Sequence, residues 1–292
     1  MLWSPPRPAQ GGLLTKRGFL AVGLGSALVA GLGAPAFAQA ERAPPASVDV
    51  PHRTARTVPL FRSPDGFPNG LAAGENGLWI AEQKPAGAAD PDEKAMLVDW
   101  RSGHLLRSVV TRSRNTSGIA YGGGHIWMGA NAAPQGFFRT DLNARTISHR
   151  QIPLGPADNG GGTHGALYRD GKLWIVSNRL RGILRVDPES WQPEFMIPFA
   201  FARWHDIAWD NGAIWMVTGT SNRIPENQPG LAKYDAASGR LLETVTFTPG
   251  SADPHGLEMH EGVLYTCDAG IGPGFVATES PTARFICRVE FV

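Results

Sequence analysis

The sequence predicts an all-β fold, a five-bladed β-propeller of four-stranded blades, on three observations. A short hairpin-like stretch occurs five times, its starts fall 41 to 50 residues apart, and each copy runs into an apolar segment led by or ending on an aromatic residue. All-strand repeats of that period are propeller blades, because one four-stranded sheet cannot bury both of its faces alone. The copies begin at Asn69-Gly70-Leu71, Ser117-Gly118-Ile119, His164-Gly165-Ala166, His205-Asp206-Ile207 and His255-Gly256-Leu257. They lead to Leu78-Trp79-Ile80, Ile126-Trp127-Met128, Leu173-Trp174-Ile175, Ile214-Trp215-Met216 and Val263-Leu264-Tyr265.

Ahead of the repeats, residues 1–38 read as a signal peptide. Thr15-Lys16-Arg17-Gly18-Phe19-Leu20 supplies a basic start, an apolar run follows, and Ala36-Phe37-Ala38 supplies small residues for cleavage. The Lys16-Arg17 pair is twin-arginine-like with lysine in the first basic place, so either the folded-protein or the general export route fits. The expected location is periplasmic or secreted. A Gly- and Ala-rich apolar stretch of this length is marginal for spanning a bilayer, and no stable membrane anchoring is expected after cleavage. Residues 39–55 form a polar, Pro/Ala-rich leader expected to be loose, and residues 56–292 form the propeller.

Each blade parses into four strands. In the first these are 70–73, 78–82, 96–100 and 105–110. The second places its outer strands at 137–141 and 146–152, the third at 183–187 and 194–199, and the fourth at 231–235 and 241–247. The first hairpin of each blade turns on short pairs such as Asp170-Gly171 and Asn211-Gly212, which supply the left-handed residues of a two-residue loop. The third strand ends on aspartate in four blades, Asp99, Asp141, Asp187 and Asp235, where the carboxylate can bond backbone N–H groups of the following turn. The fifth blade runs out of chain after its third strand. Residues 56–61 are the expected fourth strand, closing the ring and removing two open sheet edges.

Composition narrows the function. The 292 residues carry 27 Lys and Arg against 26 Asp and Glu, a net charge of +1, so no broad field recommends nucleic acid as a partner. A small molecule is the expected ligand. The sequence holds no Gly-rich phosphate loop, Gly-x-Ser-x-Gly elbow, His-Glu-x-x-His or Cys-x-x-Cys, so no nucleotide or flavin cofactor is expected.

The insertions lie between second and third strands, on the same side as the repeat starts, so variable loops and repeat-initial residues share one mouth of the channel. That mouth gathers His164, His205 and His255 from equivalent positions. Glu82 and Asp268 come from the ends of second strands, with Asn69, Asn131, Asn178 and Asp206 close by. Imidazole beside carboxylate suits general acid–base chemistry, and imidazoles with a carboxylate would also suit one divalent metal, manganese or zinc. Trp204 immediately precedes His205 and is a candidate to face the ligand. The repeat tryptophans are expected to pack between blades. Cys267 and Cys287 fall on neighbouring strands of the last blade and are expected to form a disulfide after export.

The run Gly70-Leu71-Ala72-Ala73-Gly74-Glu75-Asn76-Gly77-Leu78-Trp79-Ile80-Ala81-Glu82 resembles the repeat of the virginiamycin B lyase-like propellers, and Pro254-His255-Gly256-Leu257 resembles its Pro-His lead-in. The resemblance implies a magnesium site, a histidine base among His164, His205 or His255, and a carboxylate at Glu82 or Asp268, opening a cyclic ester by elimination. That family has seven blades where this sequence has five, and only one second strand here ends on glutamate. Five blades, with Phe67-Pro68-Asn69-Gly70-Leu71 and Leu184-Arg185-Val186-Asp187-Pro188, also resemble the plant and bacterial glutaminyl cyclases, which implies acyl transfer. The functional expectation is an exported lyase or hydrolase acting on a carbonyl- or ester-containing molecule. A non-catalytic ligand- or partner-binding propeller is the competing class.

Overall fold

The computed structural model describes residues 49–153, 163–199, 201, 204–218, 230–272, 276–278 and 280–292. The expected export signal therefore lies outside the described residues. Twenty strands and no helix are found among them. After β1 (His52–Arg62), the first group is β2 (Phe67–Ala73), β3 (Leu78–Gln83), β4 (Lys94–Val98) and β5 (Leu105–Val110). The second is β6 (Thr116–Gly122), β7 (His125–Ala130), β8 (Gly136–Asp141) and β9 (Thr146–Arg150); the third is β10 (Thr163–Arg169), β11 (Lys172–Ser177), β12 (Gly182–Val186) and β13 (Pro193–Pro198). Then follow β14 (Ile207–Asp210), β15 (Ala213–Val217), β16 (Leu231–Asp235) and β17 (Leu241–Phe247), and finally β18 (Pro254–His260), β19 (Val263–Asp268) and β20 (Phe285–Phe291).

The first three groups are separate four-stranded sheets in chain order. The remaining strands form one eight-stranded sheet, β14-β15-β16-β17-β1-β20-β19-β18. Within it β1 runs antiparallel to β20 from Ala55–Phe291 to Arg62–Phe285, which places it as the outer strand of the last group. It also runs parallel to β17 from His52–Thr244 to Ala55–Phe247. This second pairing was not legible, because it uses residues 52–55, which the composition marks as loose leader.

Local chemistry follows the expected turns. Asp170 and Gly171, Asn211 and Gly212, and Glu261 and Gly262 all have positive φ, the requirement for a tight hairpin that follows the strand twist. The strand-ending aspartates cap their turns: Asp99 Oδ1 accepts from the N–H groups of Arg101 and Ser102, Asp141 Oδ1 from Asn143 and Arg145, Asp187 Oδ1 from Glu189 and Ser190, and Asp235 Oδ1 from Ser238. These bonds hold all four carboxyls below the ordinary aspartate value.

Packing runs between successive groups. Trp79 lies with Ile119, Ile126 and Met128 of the second group, and Trp127 with Leu173 and Ile175 of the third. Trp174 packs with Ile207 and Ile214, Trp215 with Leu257 and Leu264, and Leu71, Leu78 and Ile80 with Cys267 and Ile286. All four repeat tryptophans are buried, each contributing about 4–6 kcal/mol of transfer free energy at most.

The expected disulfide is absent: both cysteines are free and buried. The register gives the reason. Thr266 stands opposite Cys287 and Cys267 opposite Ile286, so the two thiols point to opposite faces of the sheet.

Candidate functional site

The mouth is built by a bulge repeated at the start of the innermost strands. Pro68 pairs with Glu82 but Leu71 with Ile80, so Asn69 and Gly70 face a single residue of the neighbouring strand. The same skip occurs between Thr116 and Ile119, Thr163 and Ala166, and Pro254 and Leu257. A bulge of two residues against one turns a side chain out of the ladder. The residues so placed are Asn69, Ser117, His164 and His255, and His205 holds the corresponding place ahead of β14.

The second bulge residue is glycine four times, and these glycines crowd the axis. A Cβ on Gly118 would stand 2.1 Å from the carbonyl oxygen of His164, one on Gly70 would stand 2.8 Å from Gly118 Cα, and one on Gly256 would stand 3.0 Å from the Gly70 carbonyl carbon. Only glycine permits that approach. In the fourth repeat the position is Asp206. Its Oδ2 accepts from the N–H groups of Leu71 and Leu257 at 3.1 Å each, and its Oδ1 from Ile207 at 3.0 Å. Asp206 is therefore a fully buried plug that ties β2 and β18 across the axis, rather than a group open to a ligand as the sequence suggested. Burial pushes its pKa well above the ordinary value, against the pull of these bonds.

Above the plug the polar residues divide into two arcs. One is imidazole: the His164 and His205 rings lie 5.2 Å apart, edge to face, and those of His205 and His255 4.2 Å apart. His255 Nδ1 lies 3.0 Å from the carbonyl oxygen of Asp253. The other arc is neutral and continuous. Asn69 Nδ2 donates to Gln83 Oε1 at 3.0 Å, Thr116 O at 2.9 Å and Ser117 Oγ at 3.3 Å. Asn131 Nδ2 donates to Ser117 Oγ at 2.8 Å, and Thr163 Oγ1 donates to Asn131 Oδ1 at 3.2 Å. Gln83 Nε2 donates in turn to Asn115 Oδ1. Gln83, Ser117 and Thr163 were not singled out from the sequence as members of the site; for Ser117 the signal was its shared place with the three histidines.

Other expected members are engaged elsewhere. Glu82 is buried, with Oε2 accepting from Lys94 N–H at 3.0 Å. Asp268 orders its own loop, accepting from Gly270 N–H at 2.9 Å through Oδ1 and from the hydroxyls of Ser280 and Thr282 at 2.9 and 2.6 Å through Oδ2. Trp204 stacks on Phe199 at 4.4 Å inside the core, so it is a packing residue and not a ligand platform. Asn178 differs: it lies in the turn after β11, and its side-chain Oδ1 is buried with no hydrogen-bond partner among the described residues.

One buried carboxyl went unnoticed in the sequence. Glu93 accepts from Lys84 N–H at 2.8 Å, Asn115 N–H at 3.0 Å and Thr116 N–H at 2.7 Å, tying the loop after β3 to the start of β6. Burial pushes it up to about 7 despite three backbone donors.

No three His, Cys, Asp or Glu side chains among the described residues are placed to hold a metal ion together. Among the described residues, Glu82 Oε2 and Asp268 spend their carboxylate oxygens on backbone and loop rather than on the imidazole arc.

No protein-family model matches the chain, and no curated protein matches it. Among solved structures, glutaminyl cyclase from Myxococcus xanthus aligns with a TM-score of 0.55 at 11% identity, over 83% of this chain and 98% of that one. A catalytically inactive variant of virginiamycin B lyase from Staphylococcus aureus, in complex with quinupristin, aligns with a TM-score of 0.45 at 18% identity, over 78% and 68%. At such identities the first of these speaks for fold alone. The chain is a β-propeller.

Proposed function

We propose that the chain is an exported five-bladed propeller enzyme, a lyase or hydrolase that uses a mouth histidine as general base on a small carbonyl- or ester-containing molecule. The count of five is supported by five core clusters between successive strand groups and by the five repeat starts around one axis. Export is supported by residues 1–38 of the sequence.

The observation that carries the catalytic reading is the seating of His255. A carbonyl oxygen can only accept, so the Asp253 contact puts a proton on Nδ1, and in the neutral ring Nε2 is then the nitrogen that takes a proton. A base so oriented can take a proton from carbon beside a carbonyl, starting elimination, or from an attacking water, starting hydrolysis. The neutral arc supplies a donor, the Ser117 hydroxyl, for the oxygen on which charge develops.

The test is turnover of a panel of small esters and lactones by the full chain and by His255→Ala, His205→Ala and His164→Ala. The expected result is a loss of about 100- to 10,000-fold in His255→Ala with an unchanged circular dichroism spectrum. The place of the His205 ring between those of His164 and His255 favours a packing role for that residue. Equal loss of thermal stability in all three variants, with no turnover defect, would support a binding propeller instead. Release of ammonia from an amide rather than ester cleavage would direct the reading to acyl transfer.

A further inference from the structure

The hydrogen bonds of the neutral arc have a direction. Thr116 O is a carbonyl and accepts only, so the side of the Asn69 amide facing it must be the NH2 group, and Asn69 Oδ1 faces away from Gln83, Thr116 and Ser117. That oxygen is buried and has no hydrogen-bond partner among the described residues. Asn69 itself is only 4% exposed, so an unmet acceptor there is costly unless a ligand supplies the donor.

Ser117 has the complementary deficit. Its Oγ accepts from Asn131 Nδ2 at 2.8 Å and lies 3.3 Å from Asn69 Nδ2; both neighbours are NH2 groups that cannot accept, so its own O–H donates away from both. Asn131 is oriented in turn by Thr163, whose hydroxyl donates to Asn131 Oδ1. The arc thus presents one acceptor and one donor on neighbouring positions of the ring. All its side chains are neutral, so it matches a neutral donor–acceptor pair and not an ion.

We propose that the mouth selects carbonyl compounds bearing a hydroxyl on the carbon next to the carbonyl, Asn69 Oδ1 accepting from that hydroxyl and Ser117 donating to the carbonyl oxygen. The inference rests on the mouth being the substrate site. An amide would also offer an adjacent donor and acceptor. Its resonance makes the carbonyl a poor electrophile, so a site with a neutral imidazole base favours the hydroxy ester or lactone.

The experiment is a binding titration of the full chain, followed by NMR, with α-hydroxy-γ-butyrolactone, γ-butyrolactone and α-methoxy-γ-butyrolactone. The hydroxy compound is expected to bind about tenfold more tightly than the other two. Ser117→Ala is expected to weaken all three while keeping the preference, and Asn69→Ala to remove the preference. The comparison of ligands on the unmodified chain stands even if a variant fails to fold. Equal binding of the three lactones, or failure of all three to bind, would overturn the selection. Equal binding with turnover lost in His255→Ala would overturn the selection alone; the hydroxyl preference with turnover intact in His255→Ala would overturn the base assignment alone.

Discussion

His255, Asn69 and Asp206 occupy equivalent stretches of the repeat and do three different things. His255 and Asn69 are first bulge residues and face the mouth, whereas Asp206 is a second bulge residue and faces the axis. That one-residue step is why the sequence grouped all three as ligand-facing when one of them is a plug. The signal was present: four repeats carry glycine where the fourth carries aspartate. Asp206→Ala would leave the N–H groups of Leu71 and Leu257 buried without an acceptor. We expect a loss of about 2–5 kcal/mol in chemical denaturation, and an unchanged midpoint would refute the plug assignment.

At the scale of the element, the link between the first two groups depends on Glu93. Its three bonds reach Lys84 after β3 and Asn115 and Thr116 at the start of β6, beside the neutral arc. With a folded pKa of about 7 against an ordinary 4.5, the folded chain holds this proton more tightly than the unfolded chain does. Its contribution to stability is therefore greatest below the ordinary carboxyl value, and is lost as pH rises from about 4.5 to about 7. The loss amounts to about 3 kcal/mol. Denaturation midpoints measured from pH 5 to pH 8 should fall in the parent and fall less in Glu93→Gln; parallel profiles would contradict the assignment. Little in the local sequence marks Glu93, because two of its three donors, Asn115 and Thr116, lie at the start of the next group. The strand-ending aspartates were legible for the opposite reason, since the backbone N–H groups their carboxylates cap all lie within four residues, although Asp187 also pairs with Lys172.

For the whole molecule, repeat spacing and turn residues were enough to predict a propeller, since both reflect chemistry that each blade carries within itself. Register and contacts between groups were not legible: the facing of the two cysteines within the last group depends on the β19–β20 register, and the parallel pairing of β1 with β17 and the direction of the arc depend on which groups meet. That pairing makes β1 the clasp between the last two groups, bonded to β17 on one side and β20 on the other. Deleting residues up to Arg62 should expose two strand edges, and we expect size-exclusion chromatography to show aggregation or loss of the folded monomer. A monomer of unchanged stability would show that β1 does not clasp the ring. The central claim, that the imidazole arc is catalytic, is tested most directly by kcat/KM on the best substrate of the ester and lactone panel, for the parent and for His255→Gln at matched thermal stability. The account predicts a fall of at least about 100-fold in the variant. Equal kcat/KM in the two proteins would contradict it.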